Sequence, residues 1–168
     1  MVETLVTDIP DDLQVEIRQV LERACELERP LATAESCTGG LVASVLTDVD
    51  GSSHAFERGY VVYTRRAKSE VLGVPADMLE EHGAVSRPVA LAMAEGALAR
   101  SAAHAAFSVT GFAGPGGDDA EEGLVHFACA IRGRETLHRE EHFGPIGRSG
   151  VRLACIRVAV EMFKEALE

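Results

Sequence analysis

Two short apolar runs, Leu31-Ala32-Thr33-Ala34 and Ala105 to Gly111, each pass directly into a glycine-bearing turn. Runs of this length suit buried strands rather than helices. The first enters Glu35-Ser36-Cys37-Thr38-Gly39-Gly40, after which Leu41, Val42, Val45 and Leu46 resume helical spacing. The second ends in Phe112-Ala113-Gly114-Pro115-Gly116-Gly117, a glycine-rich loop stiffened by one proline. Strand, tight turn and helix in succession belong to a sheet covered by helices, which makes the chain α/β.

The rest of the pattern fills in that layered architecture. Leu13, Ile17, Val20, Leu21, Ala24 and Leu27 recur at helical spacing, predicting a helix over 11–28 that Asp11 or Asp12 caps and Pro30 ends. Ala55 to Thr64 reads as a strand through Tyr60, Val61, Val62 and Tyr63. Short helices are expected over Arg65 to Leu72 and Ala76 to His82, then a longer one from Pro88 to about Ala102 with Ser86 near its N-cap. Leu124 to Arg132 and Glu135 to Phe143 read as a hairpin turning at Gly133-Arg134. A final helix is expected from Gly147 to Ala166, buried along Val151, Ala154, Cys155, Val158 and Met162. The expectation is a single α/β/α domain over 1–168, with a mixed sheet, a late antiparallel hairpin and a loose N-terminal tail over about 1–10.

Composition closes off several functions. The net charge of −11 argues against nucleic acid as a partner, because phosphate contacts need a basic surface. Apolar runs fall short of the roughly 20 residues of a membrane span. Met1 to Asp12 is acidic and lacks a basic n-region, so no secretory signal is expected and the cytoplasm is the expected compartment. Cys25, Cys37, Cys129 and Cys155 are scattered without a C-x-x-C pair, and reduced thiols are expected. Aromatics are only 5% and Trp is absent, so Ala, Val and Leu must supply most of the core.

Ser36 is the strongest local candidate for chemistry. A serine between a strand end and a helix start lies where backbone N–H groups are free to hold a phosphate or an oxyanion. The same position also suits a residue that only caps the helix. A serine nucleophile needs a base, and lysine can serve once its pKa is lowered. Of the 16 Lys and Arg residues only Lys68 and Lys164 are lysines. Lys68 follows the Ala55–Thr64 strand, with Arg65 one turn earlier as a second cation that would favour the neutral amine; its position equally fits a solvated helix lysine. Tyr63, just before, could pass a proton or simply pack. Arg148 and Arg152 fall one turn apart at the start of the last helix, where cations oppose the dipole. They suit an anionic ligand or acidic surface neighbours.

His138-Arg139-Glu140-Glu141-His142 matches the H-x-x-E-H string of a zinc peptidase class. That chemistry requires a helix. In the expected hairpin strand His138 and His142 point one way and Glu141 the other, so no metal is expected here.

Taken together, the chain resembles the CinA C-terminal domain family, the nicotinamide mononucleotide deamidases, from about Leu13 to Leu167. The resemblance rests on Ala34-Glu35-Ser36-Cys37-Thr38-Gly39-Gly40, Gly51-Ser52-Ser53, Phe56-Glu57-Arg58-Gly59, Tyr63 with Lys68, His82-Gly83-Ala84-Val85-Ser86, Thr110-Gly111-Phe112-Ala113-Gly114-Pro115-Gly116-Gly117, and Arg148 with Arg152. It implies hydrolysis of the carboxamide of nicotinamide mononucleotide to nicotinic acid mononucleotide and ammonia, in pyridine nucleotide salvage. Ser36 would be the nucleophile, Lys68 the base and Tyr63 an assistant. Glu35, Cys37, Thr38, Gly39, Gly40, Ser86, Thr110, Gly111, Ala113, Gly114, Arg148 and Arg152 would line the substrate. The resemblance further implies a small-molecule nucleotide substrate, no cofactor, no metal, no membrane and self-association. The chain departs from the family pattern at Arg65 (usually Asn), at the acidic Asp118-Asp119-Ala120-Glu121-Glu122 loop, at Leu124 and at Gly147. Those departures keep open an amidase on another small amide, or a non-enzymatic nucleotide-binding, competence-associated protein.

Overall fold

A computed structural model describes residues 8–117 and 120–168. Most of the expected N-terminal tail, and Asp118 and Asp119 of the acidic loop, lie outside the described residues. The elements follow as α1 (Asp11–Glu26), β1 (Leu31–Glu35), α2 (Leu41–Leu46), β2 (Phe56–Val61), α3 (Arg65–Leu72), α4 (Ala76–His82), α5 (Arg87–Ala99), β3 (Ala105–Gly111), β4 (Leu124–Ile131), β5 (Leu137–His142) and α6 (Gly147–Ala166).

The sheet order is β2-β1-β3-β4-β5. β1 pairs in parallel with both β2 and β3, while β4 and β5 add antiparallel. This is the expected mixed sheet with a late hairpin. All five residues of β1 are buried, since helices cover both faces. On one face α1, α2 and α6 pack over a core that includes Phe107, Phe127 and Phe163. On the other, α5 lies over Ala32, Ala34, Ala106, Ala128 and Ala130, where small side chains admit the helix backbone closely. The expected Ala/Val/Leu core is therefore divided, with alanine beneath α5 and the phenylalanines beneath α6.

Several element ends differ from expectation. Helix α1 stops at Glu26 rather than at 28, because Glu28 takes a positive φ of 52° to turn the chain ahead of Pro30. Strand β2 is shorter than Ala55–Thr64: after Val62 donates to the Glu35 carbonyl, the chain leaves the sheet to begin α3. Helix α5 starts at Arg87 and ends at Ala99, short of Ala102. The hairpin strands lose Arg132, Glu135, Thr136 and Phe143 at their ends. Ala154 of α6 is half-buried, whereas Ile156, Ala159, Val160 and Phe163 join the buried side.

The strand order puts the start of α2 at a topological switch point. The helix after β1 covers one face of the sheet and the helices after β2 cover the other. The carboxyl end of β1 therefore lies between its two parallel neighbours at the position where ligands usually bind in sheets of this kind. Ser36 follows the last residue of β1.

Candidate active site

The Ser36 turn is anchored on several sides. The Ser36 N–H donates to the Val109 carbonyl of β3 (3.1 Å), and Gly39 N–H donates back to the Ser36 carbonyl (3.1 Å). Gly39 and Gly40 take φ values of 63° and 96°, the left-handed region that lets so tight a turn enter α2. Glu35 is completely buried, with its carboxylate directed under the start of α2. It accepts from Thr38 Oγ1 (2.6 Å) and from the N–H groups of Gly40 (3.2 Å), Val42 (3.0 Å) and Ala43 (2.7 Å). The helix N-terminal donors are thus engaged by the protein's own carboxylate. No backbone carbonyl among the described residues accepts from the N–H of Cys37 or Thr38.

Lys68 reaches this turn from α3. Thr64 caps that helix by accepting from the Ala67 N–H (3.0 Å), and Gly73 ends it in the left-handed region. Lys68 and Leu72 form its buried side, and Lys68 is only 1% exposed. Its Nζ lies 2.9 Å from Ser36 Oγ, 3.1 Å from the Val62 carbonyl and 3.2 Å from the Tyr63 carbonyl. A neutral amine has two N–H groups and one lone pair. With both carbonyls taking an N–H, the lone pair is left to face the Ser36 hydroxyl. Burial lowers the Lys68 pKa from 10.5 to about 8, against a smaller opposing pull from Cys37. This revises the expected role of Arg65: it is exposed, and desolvation rather than a neighbouring cation depresses the amine.

The other expected site residues divide into two groups. Cys37 is buried beside Ser36, and its carbonyl accepts from Arg152 Nε of α6 (3.0 Å). A β-carbon built on Gly39 would lie 3.7 Å from Arg152 Nη2, so the guanidinium lies along the turn. A β-carbon on Gly114 would lie 2.8 Å from Arg148 Nη2, which places Arg148 against the glycine-rich loop. Ala113 is buried within that loop, and Gly111 abuts Val125 and Leu124 of β4. By contrast, the Ser86 and Thr110 hydroxyls donate to the Gly83 and Ala84 carbonyls, which shapes the wall opposite through the backbone. Tyr63 is 71% exposed; its carbonyl, not its phenol, contacts Lys68.

The carbonyls of Val62 and Tyr63 were not visible as functional groups in the sequence. Backbone acceptors carry no side-chain signature, and only the exit of the chain from β2 into α3 reveals them. The histidine string lies on strand β5, with Glu140 opposite His126, His138 opposite Ala128 and Glu141 opposite Val125. Among the described residues no cluster of three or more His, Cys, Asp or Glu side chains is arranged to hold a metal. All four cysteines are free thiols. No helix of the described residues is long and apolar enough to cross a membrane.

The family model of the CinA C-terminal domain matches residues 14–167. The chain belongs to the CinA C-terminal domain family. Among solved CinA-type structures, the competence/damage inducible protein CihA from Agrobacterium tumefaciens superposes with a TM-score of 0.93 at 45% identity, covering 97% of this chain and 100% of that one. The CinA superfamily protein from Escherichia coli gives 0.86 at 31% identity, covering 97% and 95%. In sequence, a CinA-like protein of Akkermansia muciniphila is 59% identical over 107 residues, 62% of this chain but 26% of that protein. The chain thus spans about a quarter of the length of this longer CinA relative. The nicotinamide-nucleotide amidohydrolase PncC of Escherichia coli K12 is 50% identical over 115 residues, 67% of this chain and 70% of that protein.

Proposed function

We propose that this chain hydrolyses the carboxamide of nicotinamide mononucleotide, giving nicotinic acid mononucleotide and ammonia, with Ser36 as nucleophile and Lys68 as general base. The observation that carries the reading is the 2.9 Å contact between Lys68 Nζ and Ser36 Oγ, made by a buried lysine with a lowered pKa. The similarity to the PncC amidohydrolase supports the substrate class.

In this reading the neutral Lys68 amine takes the Ser36 proton as Oγ attacks the amide carbon. The Cys37 and Thr38 N–H groups meet the oxyanion. Lys68 then returns the proton to the leaving nitrogen, and ammonia departs. Water, deprotonated by the same amine, attacks the acyl–Ser36 ester, and Lys68 passes that proton to the departing Ser36 Oγ, releasing the acid and restoring the free hydroxyl and neutral amine. Arg148 and the Thr110–Gly117 loop would hold the phosphate and ribose. Glu121 of the acidic loop is hydrogen-bonded to His142 (2.6 Å), which holds its carboxylate against β5. Tyr63 would assist from outside, by swinging its exposed phenol over the pair. The resemblance alone supports a role in pyridine nucleotide salvage as a self-associating cytoplasmic enzyme that needs no metal or cofactor.

The test is ammonia release from nicotinamide mononucleotide by purified protein, with Ser36→Ala as control. Release that Ser36→Ala abolishes is expected. Full activity in Ser36→Ala overturns the mechanism. Release from unphosphorylated amides but not from the nucleotide overturns the substrate and leaves an amidase of the same mechanism.

A further inference from the structure

The turn that carries Ser36 is fixed by two opposite charges from different parts of the chain. On one side the Glu35 carboxylate takes four donors, Thr38 Oγ1 and the N–H groups of Gly40, Val42 and Ala43, at 2.6–3.2 Å. Oε2 accepts three of these and Oε1 accepts the fourth, from Ala43, so most of the carboxylate's lone-pair sites are engaged by the turn itself. With no surface exposed, it has no direction left from which a ligand could approach. On the other side, Arg152 Nε donates to the Cys37 carbonyl at 3.0 Å from α6. A trans peptide is planar, with its C=O and N–H on opposite edges. Holding the Cys37 carbonyl against α6 therefore sets the direction of the next N–H, that of Thr38. The Thr38 side chain is simultaneously held by Glu35.

We infer that Glu35 and Arg152 are positioning residues, which hold the Ser36–Thr38 turn so that the Thr38 N–H is presented to the oxyanion, and that neither binds substrate. The inference rests on the amidohydrolase reading above. It gives Arg148 and Arg152, one turn apart on α6, different tasks: Arg148 faces the glycine-rich loop and Arg152 the nucleophile turn. It also assigns the charge of Glu35 to the interior of the turn, where it stabilises the start of α2.

The experiment compares steady-state kinetics of wild type, Arg152→Met, Arg152→Lys and Glu35→Gln on nicotinamide mononucleotide, alongside the rate at which a fluorophosphonate probe labels Ser36. Arg152→Met is expected to lower kcat on the order of 10- to 100-fold, with KM within about twofold, the pattern of an interaction realised in the transition state. Arg152→Lys, which can still donate to the Cys37 carbonyl, should recover part of the loss. Glu35→Gln offers one acceptor oxygen to four donors and should show the same kcat pattern in whatever fraction circular dichroism reports as folded. Ser36 labelling should slow in parallel. A KM raised tenfold or more in Arg152→Met with kcat intact overturns the inference, because Arg152 would then bind substrate. Unchanged labelling in Arg152→Met overturns it as well. A wild type that labels at Ser36 but releases no ammonia from the nucleotide would sink the substrate reading alone, since the labelling comparison still decides the positioning role. A wild-type Ser36 that does not label overturns both.

Discussion

Lys68 Nζ lies 2.9 Å from Ser36 Oγ although 32 residues separate them in sequence. Two parallel strands make the contact. β1 delivers the serine at its carboxyl end, and β2, paired alongside, delivers α3 at the same edge of the sheet. With the amine's pKa at about 8 through burial, the active neutral form increases as pH rises. The kcat/KM profile for ammonia release is expected to climb tenfold per unit below about pH 8 and to level above it. A flat profile between pH 6 and 9 would exclude Lys68 as the base.

The same depressed pKa gives stability a sign. The folded state releases the Lys68 proton near pH 8, while the unfolded chain keeps it to about 10.5. Between those values the unfolded state binds more protons, so stability rises with pH there, by about 1.4 kcal/mol per unit. Below about pH 8 the full cost of burying the charge is present. Urea melts of wild type and Lys68→Met at pH 7.5 and 9.5 test this. Wild type should gain on the variant at the higher pH, and a constant difference would contradict the burial.

Thiol reactivity should follow burial. Cys25 is partly accessible, whereas burial pushes the Cys129 thiol up to about 12. In the native protein, iodoacetamide at pH 8 followed by mass spectrometry should modify Cys25 first and leave Cys129 unmodified until urea is added. Early modification of Cys129 would show that β4 is not packed as described.

Gly96 sits where α5 crosses the end of α3. A β-carbon there would lie 2.1 Å from the Leu72 carbonyl oxygen, which is backbone and cannot swing aside. Gly96→Ala should cost about 1–3 kcal/mol in a denaturant melt. Because α3 carries Lys68, activity should fall with it. A variant as stable as wild type would show that α3 shifts without penalty.

The histidines of β4 and β5 should titrate in a definite order. His142 has Glu121 at 2.6 Å and Glu140 at 2.9 Å on its two ring nitrogens, and these carboxylates raise its pKa above 6.5. Only the doubly protonated ring can donate to both. Its contribution is present below 6.5 and lost as pH climbs through the raised value. His126 and His138, 3.2 Å apart and desolvated, fall below 6.5. NMR titration of the ring protons should give His142 the highest midpoint of the three, and the reverse order would be inconsistent with these pairs.

How far the sequence could be read depended on whether a signal was local. The buried strand, the glycine turn and the helix after it are contiguous, so pattern alone marks Ser36 as a candidate, though a helix cap reads the same way. Pattern does not mark Lys68, because its burial comes from α3 folding over the end of β1, a contact between distant segments. Family resemblance, not physics, joined the two. Arg65 was expected to depress the lysine, yet it faces solvent while desolvation does so. Glu35, Ser86 and Thr110 illustrate the same limit. The family resemblance implied ligand contacts for them, but each side chain is engaged within the protein, and hydrogen-bond partners this specific are fixed only by tertiary structure.

Helix α2 has six residues, a length that by itself would open and close freely. Its first amides, however, are tied to the side chain of a fully buried strand residue. Opening α2 would strip a carboxylate in the protein interior of its partners. The amide hydrogens of Val42 and Ala43 should therefore exchange with solvent as slowly as those of the central sheet, making this short helix part of the last cooperative unit to unfold.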